Sequence, residues 1–535
     1  MRRNIAQMRI GWVAALAALT LLTSGSAWAA PIVIADPDGS NAVLADDPAL
    51  PSDDPMGSQG FETPTAQAAG GLSVPGAIDR LRKRGDITKK QASSYKKDWS
   101  TSVRATKRMS RARRAELNAV LANTRAMAAS KQLTASRVPA VMLTVVRNRD
   151  WWMKGPSLRA GGRTRFRGSQ LVWQYYAGQG LQIQWLGTFG RANALWSFGG
   201  KDDELDELLT EARALAASRA GGIAYEYLFK FGSGKPPWVS GLTQGTALTA
   251  FSRGALRLKE SDYFNDARAA LGIFERKPPA GVRVTTGAGV HYLQYSYAPA
   301  QRVGNGFVQA LNGLHDFALF ANNDKAWNLF ASGEKNLRRE LPRFDTGAWT
   351  LYQRTTSGSK TVPGNESTLD YHKLFAQFLT GLCSRLTDDQ KRIGAKAAQT
   401  SGGASPGSSP SPSTSEPDRS DVAGRTSPTR YCDASTRFKS YLRQKPTLKI
   451  TKRTLTQRKR STVVVKVDKV SFVTLAVSQG SRTLASESRQ MSYGTHRLRV
   501  SPTGRSRVKV RVTATDLAGN RTSKTMQLRV RARAD

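Results

Sequence analysis

The stretch LPRFDTGAWTLYQRTTSGSKTVPGNESTLDYH, residues 341–372, lies between two apolar helical patterns and is the strongest indication of the fold and of a functional site. It contains Tyr352 and Arg354 and ends on the triplet DYH, whose last two residues are Tyr371 and His372. Between Arg354 and that triplet the residues are mostly Ser, Gly, Thr, Pro and Asn, which favour turns and irregular backbone. Because polar loops between buried helices often carry functional side chains, the stretch predicts a site in a helical fold.

Apolar residues recur at spacings of three and four on both sides of this stretch, which predicts a succession of amphipathic helices. From the apolar spacing, one helix is expected to begin near Asp203 and another at Ser240. Further helical patterns cover residues 262–275, 304–320, 325–340 and 371–386. Successive helices joined by loops of uneven length suit an α/α toroid, although the periodicity alone fits any helical bundle.

Four fragments in one order carry a resemblance to a known family. The fragments LPRFDTGAWTLYQR and LDYH are similar to the C-terminal catalytic region of D-glucuronyl C5-epimerases, which invert C5 of glucuronate in heparan-type polysaccharides. The fragments PPWVSGLTQGTALTAFSRGAL, residues 236–256, and GNGFVQALNGLHDF, residues 304–317, agree with it. The resemblance runs from about residue 175 to residue 386 and implies an incomplete (α/α) toroid with a concave site.

The charge balance predicts a polyanionic partner. The 535 residues include 81 Lys and Arg against 40 Asp and Glu, a formal net charge of +41. Such a molecule accumulates polyanions, and does so less at high salt. Nucleic acid, acidic polysaccharide and anionic envelope polymers all fit this charge.

The N-terminus narrows these partners. Basic residues precede an apolar run over residues 10–22, and Ala27-Trp28-Ala29 forms a small-x-small cleavage site. This pattern predicts a secretory signal peptide over residues 1–29, with an uncleaved anchor as the alternative. We therefore expect a secreted or cell-surface protein without a transmembrane helix in the mature chain and without nucleic acid as its partner.

Composition shifts divide the rest of the chain. Residues 30–73, rich in Asp, Pro, Gly, Ser and Ala, are expected to be a disordered leader. Residues 74–150 form a basic helical region, and residues 151–393 the toroid domain. Residues 394–429, with SGGASPGSSPSPSTSEPDRS at their centre, are expected to be a flexible linker that ends before a β-sandwich over residues 430–535.

The C-terminal region has the texture of strands, with about six alternating or apolar runs in a hundred residues. Its segment VTATDLAGN resembles the closing hairpin of bacterial immunoglobulin-like surface modules. The region contains 26 Lys and Arg against 5 Asp and Glu. We expect such a module to tether the protein to an anionic cell-envelope polymer rather than to perform chemistry.

Cys383 and Cys432 are the two cysteines of the chain, and they flank the linker. In an oxidising compartment they are expected to pair. The alternative is a buried thiol at Cys383 and an exposed thiol at Cys432.

Inversion at C5 of a uronate requires the removal of a proton next to a carboxylate, so the charge that develops on that carboxylate must be stabilised. Arginine suits this task because its fork binds both oxygens. A tyrosine can act as base or acid where a neighbouring cation lowers its pKa from about 10.

The resemblance assigns these roles to particular residues. It implies that Tyr352 and Tyr371 are catalytic and that Arg354, aligned after a one-residue gap, binds the substrate. It also places a further catalytic tyrosine at Tyr295, with Tyr297 as a second candidate for that position or as a substrate-binding residue.

At the position before that tyrosine the resemblance expects an acid, but this chain has Gln294. Glu226 is the acid that we expect to replace it as a catalytic residue. Four more residues are assigned to substrate binding: Trp238, Gln244, Asn305 and His372. No cofactor is expected, and no metal, because the four histidines lack ligand spacing.

Two other functions fit the same sequence. A polysaccharide lyase would form the same carbanion but expel the C4 substituent. A secreted, non-catalytic polyanion-binding protein would keep the fold without the activity, and Gln294 favours that alternative.

Overall fold

The structure, a computed structural model, describes residues 30–50, 71–355, 366–401, 427–452, 455–458, 461–501 and 506–531. These residues form a mainly helical body followed by β-sheets. Three predicted features lie wholly or largely outside them: the signal peptide, most of the linker, and residues 356–365 of the polar loop. Within the described ranges, no helix combines the length and the apolar character that crossing a membrane requires.

The helices of the described residues are α1 (Val74–Lys83), α2 (Lys89–Ala105), α3 (Arg111–Ala129), α4 (Val138–Lys154), α5 (Trp185–Phe198), α6 (Asp202–Ala214), α7 (Gly241–Leu258), α8 (Asp262–Ala270), α9 (Gly272–Glu275), α10 (Gly304–Phe320), α11 (Asp324–Glu340), α12 (Leu369–Ser401) and α13 (Thr429–Tyr441). Short 3₁₀ turns follow α2 and α11.

The strands of the helical body are β1 (Ala30–Ala35), β2 (Val43–Asp47), β3 (Arg163–Phe166), β4 (Trp173–Tyr176), β5 (Gly180–Ile183), β6 (Ala217–Arg219), β7 (Gly222–Ala224), β8 (Arg283–Thr285), β9 (Val290–Tyr292), β10 (Gln301–Val303) and β11 (Gln353–Thr355). The first five form one sheet in the order β2-β1-β3-β4-β5, and the others pair as β6-β7, β8-β9 and β10-β11.

Side-chain caps set the starts of α7 and α2, and the sequence predicted the first of these. The Ser240 side chain accepts a hydrogen bond from the Thr243 backbone N–H, so α7 begins at the predicted residue. Thr88 and Gln91 form a reciprocal capping box at the start of α2. Each cap satisfies a backbone donor that the first helical turn leaves without a partner.

Helices α7 and α10 form the centre of the body. Most of their residues are buried on all sides. Gly245 of α7 and Gly313 of α10 let the two helices pack closely, because a Cβ at Gly313 would overlap the carbonyl oxygen of Gly245. The two glycines therefore fix how closely the central helices approach.

The prediction of a disordered leader over residues 30–73 is wrong for residues 30–50. β1 pairs antiparallel with β2 and parallel with β3, placing Val33 opposite Thr164. The Asp47 carboxylate accepts a hydrogen bond from the buried Arg191 at 2.9 Å. Composition predicted disorder because the apolar run of β1 is short, but strands far along the chain complete its sheet.

Two predicted domain boundaries fall inside helices. The boundary between residues 150 and 151 lies within α4, whose Trp151 is buried in the same core as α7 and α10. The boundary between residues 393 and 394 lies within α12. Because helical hydrogen bonds run on through both positions, neither is a break between domains.

The predicted sandwich does not begin at residue 430, because α13 packs on the helical body. A disulfide joins Cys383 on α12 to Cys432 on α13, with an S–S distance of 2.01 Å, which confirms the expected pairing. Tyr431 and Phe438 are buried in the core of the body. The chain that follows the predicted linker is therefore attached to the helical body through α13, before the strands of the sandwich begin.

Beyond α13 the strands are β12 (Leu448–Lys452), β13 (Leu455–Thr456), β14 (Ser461–Val467), β15 (Ser471–Gln479), β16 (Arg482–Met491), β17 (Gly494–Val500), β18 (Ser506–Asp516) and β19 (Arg521–Arg531). One sheet has the order β12-β14-β17 and the other β13-β19-β18-β15-β16. Alternate residues of both sheets share one apolar core, so the predicted strand texture is confirmed.

Candidate active site

Two predicted tyrosines meet through their hydroxyl groups. The oxygens of Tyr295 and Tyr352 are 2.7 Å apart, which is hydrogen-bond distance. The amide Nε2 of Gln294 lies 3.2 Å from the first oxygen and 3.3 Å from the second, and donates to both. These three polar groups, from two segments far apart in the chain, form the centre of the candidate site.

Short strands and helix starts position this centre. β10 pairs antiparallel with β11, and the Gly304 N–H extends the pairing by donating to the Tyr352 carbonyl at 3.2 Å. Tyr371 lies in the first turn of α12, and its ring contacts that of Tyr352 with centroids 4.6 Å apart. The structure thus brings together all three tyrosines that the resemblance assigned as catalytic.

Aromatic rings pack beneath the tyrosines. Trp238 contacts Tyr295 and Tyr297, with centroid distances of 5.9 and 5.4 Å, and its indole N–H donates to the Phe229 carbonyl. Burial raises the pKa of Tyr297 above its ordinary range. Trp238 is almost fully buried. It therefore packs against the tyrosines, whereas the sequence predicted that it would contact the substrate directly.

A cluster of charges lies beside the tyrosines. Arg354 is directly opposite Arg302 in the β10-β11 pairing. Burial, followed by the charge of Arg343, lowers the pKa of the Arg354 guanidinium, which packs over the ring of Phe344. Arginine stays protonated at neutral pH, so this side of the site is cationic and suits a carboxylate.

Glu340 and His291 balance part of that charge. The Glu340 carboxylate is 2.7 Å from Nδ1 of His291, which is completely buried. Burial raises the Glu340 pKa, but the hydrogen bond from His291 and the charge of Arg302 outweigh it and lower the pKa overall. Burial, together with the charges of Arg302 and Arg354, lowers the pKa of His291.

Asn305 lies at the start of α10, where the sequence predicted a substrate-binding residue. Its Oδ1 accepts a hydrogen bond from the Gly306 N–H at 2.9 Å. Its Nδ2 is buried and has no hydrogen-bond partner among the described residues. A buried donor of this kind is costly to leave unsatisfied, so it fits a group that meets a ligand oxygen.

Glu226, predicted as the replacement acid, occupies a different kind of environment. Its carboxylate binds Arg137 through both oxygens at 2.6 and 2.9 Å, and Arg219 at 2.6 Å. All three side chains are largely buried. Two guanidinium groups thus hold this carboxylate, an arrangement that favours a scaffold role over the predicted catalytic one.

Gln244 and His372 are also structural. The Gln244 amide exchanges hydrogen bonds with the backbone of Tyr225. The His372 ring stacks on Trp349, and its nitrogens bond the Thr350 hydroxyl at 2.8 Å and the Phe438 carbonyl at 2.9 Å. Because their polar groups are used inside the core, the structure favours a structural role for both over the predicted substrate binding.

Sequence reasoning missed Arg302 and the pair of His291 and Glu340. Arg302 lies five residues after Tyr297, but only its pairing opposite Arg354 gives it a place in the site. His291 and Glu340 are 49 residues apart and carry no shared motif. Within the described ranges, no three His, Cys, Asp or Glu side chains are grouped so that they could hold a metal ion.

Comparison with known proteins finds a similarity to carbohydrate epimerases, a class of isomerases, in this region. Residues 218–394 match the family described as D-glucuronyl C5-epimerase C-terminus. This part of the chain, which holds the three tyrosines and both arginines, is therefore similar to the C-terminal region of that family. The match begins at residue 218, later than the start near residue 175 that the sequence suggested.

A D-glucuronyl C5-epimerase of Caenorhabditis elegans is 29% identical over 157 residues, which cover 27% of this chain and 25% of the relative. The chain thus spans about a quarter of the length of that curated relative. Among solved structures, endo-beta-1,4-glucanase CMCax from Acetobacter xylinum is similar over 49% of this chain and 88% of its own, at 15% identity. Its TM-score of 0.29 is too low to define a fold.

Proposed function

We propose that this protein is a uronate C5-epimerase that acts on an acidic polysaccharide by removing the proton at C5 and returning one from the opposite side. The observation that carries the proposal is the hydroxyl contact between Tyr295 and Tyr352, held by the Gln294 amide. A linked pair of hydroxyls beside cationic groups can pass a proton from one oxygen to the other.

The distance between the two oxygens limits their roles. At 2.7 Å they leave no room for a sugar ring between them. We therefore assign Tyr295 and Tyr352 together to one face of the sugar, where they act as a single proton relay. Tyr371, whose ring packs against that of Tyr352 from the start of α12, is assigned to the return of the proton.

The substrate carboxylate is assigned to Arg354, with Arg302 beside it. As the C5 proton leaves, negative charge moves onto the carboxylate oxygens, and a fixed guanidinium stabilises that charge without reorganisation. Asn305 Nδ2 supplies a neutral donor to a sugar or carboxylate oxygen at the start of α10.

Deuterium incorporation at C5 in heavy water tests this function. With a panel of uronate polymers, we expect exchange by the wild-type protein and a loss of about 10²- to 10⁴-fold in Tyr352→Phe, the usual contribution of a general acid or base. Tyr225→Phe is the matched control, because its buried hydroxyl has no hydrogen-bond partner among the described residues. Full exchange by Tyr352→Phe would refute the site.

A non-catalytic polyanion-binding protein is the second candidate, and Gln294 favours it. An amide cannot accept the proton that an acidic residue at this position would handle. If wild-type protein binds uronate polymers but exchanges no deuterium, this candidate replaces the first. An ultraviolet-absorbing product and shorter chains would instead indicate elimination by a lyase.

The fold of the helical body, the type of the β-sandwich and the export of the protein are also proposals. We infer that the helices form an incomplete (α/α) toroid, which is supported by the other helices that pack around α7 and α10. We infer that the β-sandwich is an immunoglobulin-like module, supported by its two sheets around one core. Export by a signal peptide over residues 1–29 is supported by the disulfide, since such bonds persist in oxidising compartments.

A further inference from the structure

A β-arch of the sandwich contacts the chain beside the candidate active site. The arch consists of β16, the turn at residues 492–493, and β17. The Tyr493 N–H donates to the Glu366 carboxylate at 2.6 Å, and Glu366 forms a β-bridge with Leu351, the neighbour of Tyr352. The tip of the arch is therefore fixed next to the segment that carries a proposed catalytic tyrosine.

The arch is closed by its own side chains. His496 is 2.7 Å from the Ser492 carbonyl through Nε2. The Arg489 guanidinium donates to the Arg497 carbonyl at 2.7 Å, and the Glu487 carboxylate accepts from the Arg499 N–H. These contacts hold β16 and β17 together although the two strands belong to different sheets.

Three exposed arginines and one acid line a groove along this arch: Arg489, Arg497, Arg499 and Glu487. The one carboxylate already binds a backbone N–H, and Nε of Arg489 is 3.8 Å from it. The two arginines of β17 point outward because Leu498 and Val500 face the core. Exposed Lys466 and Lys449, on the neighbouring strands, extend the cationic surface.

The groove lies within reach of a polymer that occupies the active site. Arg489 and Arg497 are each four residues from Tyr493, which corresponds to about 13 Å of strand, and Arg499 is about 20 Å away. Arginine forks bind carboxylates in paired hydrogen bonds. A polysaccharide with an acid group on alternate sugars would present several carboxylates over such a distance.

We propose that this groove binds the acidic polysaccharide whose reacting sugar lies at the tyrosines, and so acts as an additional subsite for the same chain. The inference rests on the proposed function for its choice of ligand. We assign a carboxylate polymer to the groove, because the hydrogen bond between Tyr493 and Glu366 places the groove next to the candidate site. A separate anionic envelope polymer is the competing occupant.

Two charge-matched triple variants test the proposal. R489Q/R497Q/R499Q removes three positive charges from the groove, whereas R507Q/K509Q/R511Q removes three exposed charges from β18, which lies two strands from β16 in the same sheet. Thermal unfolding checks that both fold. Affinity for an end-labelled uronate polymer and for a short uronate oligosaccharide is then measured by fluorescence anisotropy at several salt concentrations.

We expect the groove variant to lose about tenfold or more in affinity for the long polymer, since each charge-assisted bond contributes on that scale. Its salt dependence should be weaker, and its affinity for the short oligosaccharide unchanged. The β18 variant should keep most of its affinity for both. Equal losses in the two variants would mean bulk charge alone and would overturn the proposal, as would no loss in either.

Two further measurements separate this inference from the proposed function. If the wild type exchanges deuterium, the groove variant should show a raised KM and an unchanged kcat on the long polymer alone. If the wild type exchanges none but the binding results hold, the enzyme proposal fails and the subsite stands. Groove-dependent binding of poly(glycerol phosphate) without binding of uronate polymer would overturn the subsite.

Discussion

Gln294 sets the direction of two hydrogen bonds at the candidate site. As an amide it donates to the hydroxyls of both Tyr295 and Tyr352. Each hydroxyl oxygen is therefore an acceptor at that contact, and each keeps its own proton for its partner or for the substrate. A carboxylate in the same place would reverse the direction of both hydrogen bonds.

Gln294→Glu tests this direction. The new carboxylate would accept from both hydroxyls, stabilise their neutral forms and so raise the tyrosine pKa values. We expect the alkaline limb of the C5 exchange rate to move to higher pH. Gln390→Glu, an exposed substitution on α12, should leave the profile in place. An unchanged profile in Gln294→Glu would show that the amide does not control the tyrosine protons.

His372 should make the folded protein less stable at acidic pH. Burial is the main reason why its pKa is lowered to about 4 from an ordinary value of 6.5. The unfolded chain therefore binds the proton more readily, so the stabilising contribution is complete above pH 6.5 and is lost as the pH falls toward 4.

The resulting loss amounts to about 3 kcal/mol of unfolding free energy across that window. His372→Gln should flatten this part of the curve of stability against pH, measured by denaturant unfolding. His496→Gln serves as the control, and His291, whose pKa burial also lowers, is present in both variants. If His372→Gln kept the full slope, the histidine would not be its cause.

At the scale of elements, Glu226 holds three segments together. Arg137 directly precedes α4, Arg219 ends β6, and Glu226 lies in the chain between β7 and α7. Removing one partner from a buried ion pair leaves the other charges uncompensated, which costs far more than losing a surface pair.

Glu226→Gln should therefore lower the unfolding free energy by about 3–5 kcal/mol. Per folded molecule, its C5 exchange should equal that of the wild type, because the carboxylate belongs to the scaffold. Glu260→Gln, an exposed change of the same kind, should alter neither quantity. Lost exchange at normal stability would restore Glu226 as a catalytic acid.

At the scale of the whole molecule, Lys469 joins the sandwich to the helical body. Its buried ammonium donates to the carbonyls of Tyr441 and Gln444 at 2.9 and 2.5 Å, and to the Asp516 carboxylate at 3.1 Å. Asn520 adds a bond to the Leu442 carbonyl. These contacts fix the position of the arch that carries the proposed subsite.

Lys469→Met should lower the unfolding free energy by about 3–5 kcal/mol, because it leaves Asp516 buried without its cation. The double variant Lys469→Met/Asp516→Asn should recover part of that loss in denaturant unfolding. Lys466→Met, which removes an exposed lysine from β14, should have little effect. Equal stability of both single lysine variants would place the junction elsewhere.

The sequence by itself determined the helical pattern, the cap at Ser240, the strand texture of the C-terminal region and the set of tyrosines. Each depends on residues a few positions apart, because helical hydrogen bonds, caps and strand alternation are local. The resemblance added roles to Tyr295, Tyr352 and Tyr371, since its fragments contain those residues.

Only the tertiary structure decided which side chains meet. Glu226 pairs with Arg137, which lies 89 residues earlier, and β1 pairs with β3, which lies more than a hundred residues later. The hydroxyls of Tyr295 and Tyr352 come together through the pairing of β10 with β11. Ion pairs and sheet partners join distant parts of the chain, so no local pattern could distinguish a clamped carboxylate from a catalytic one.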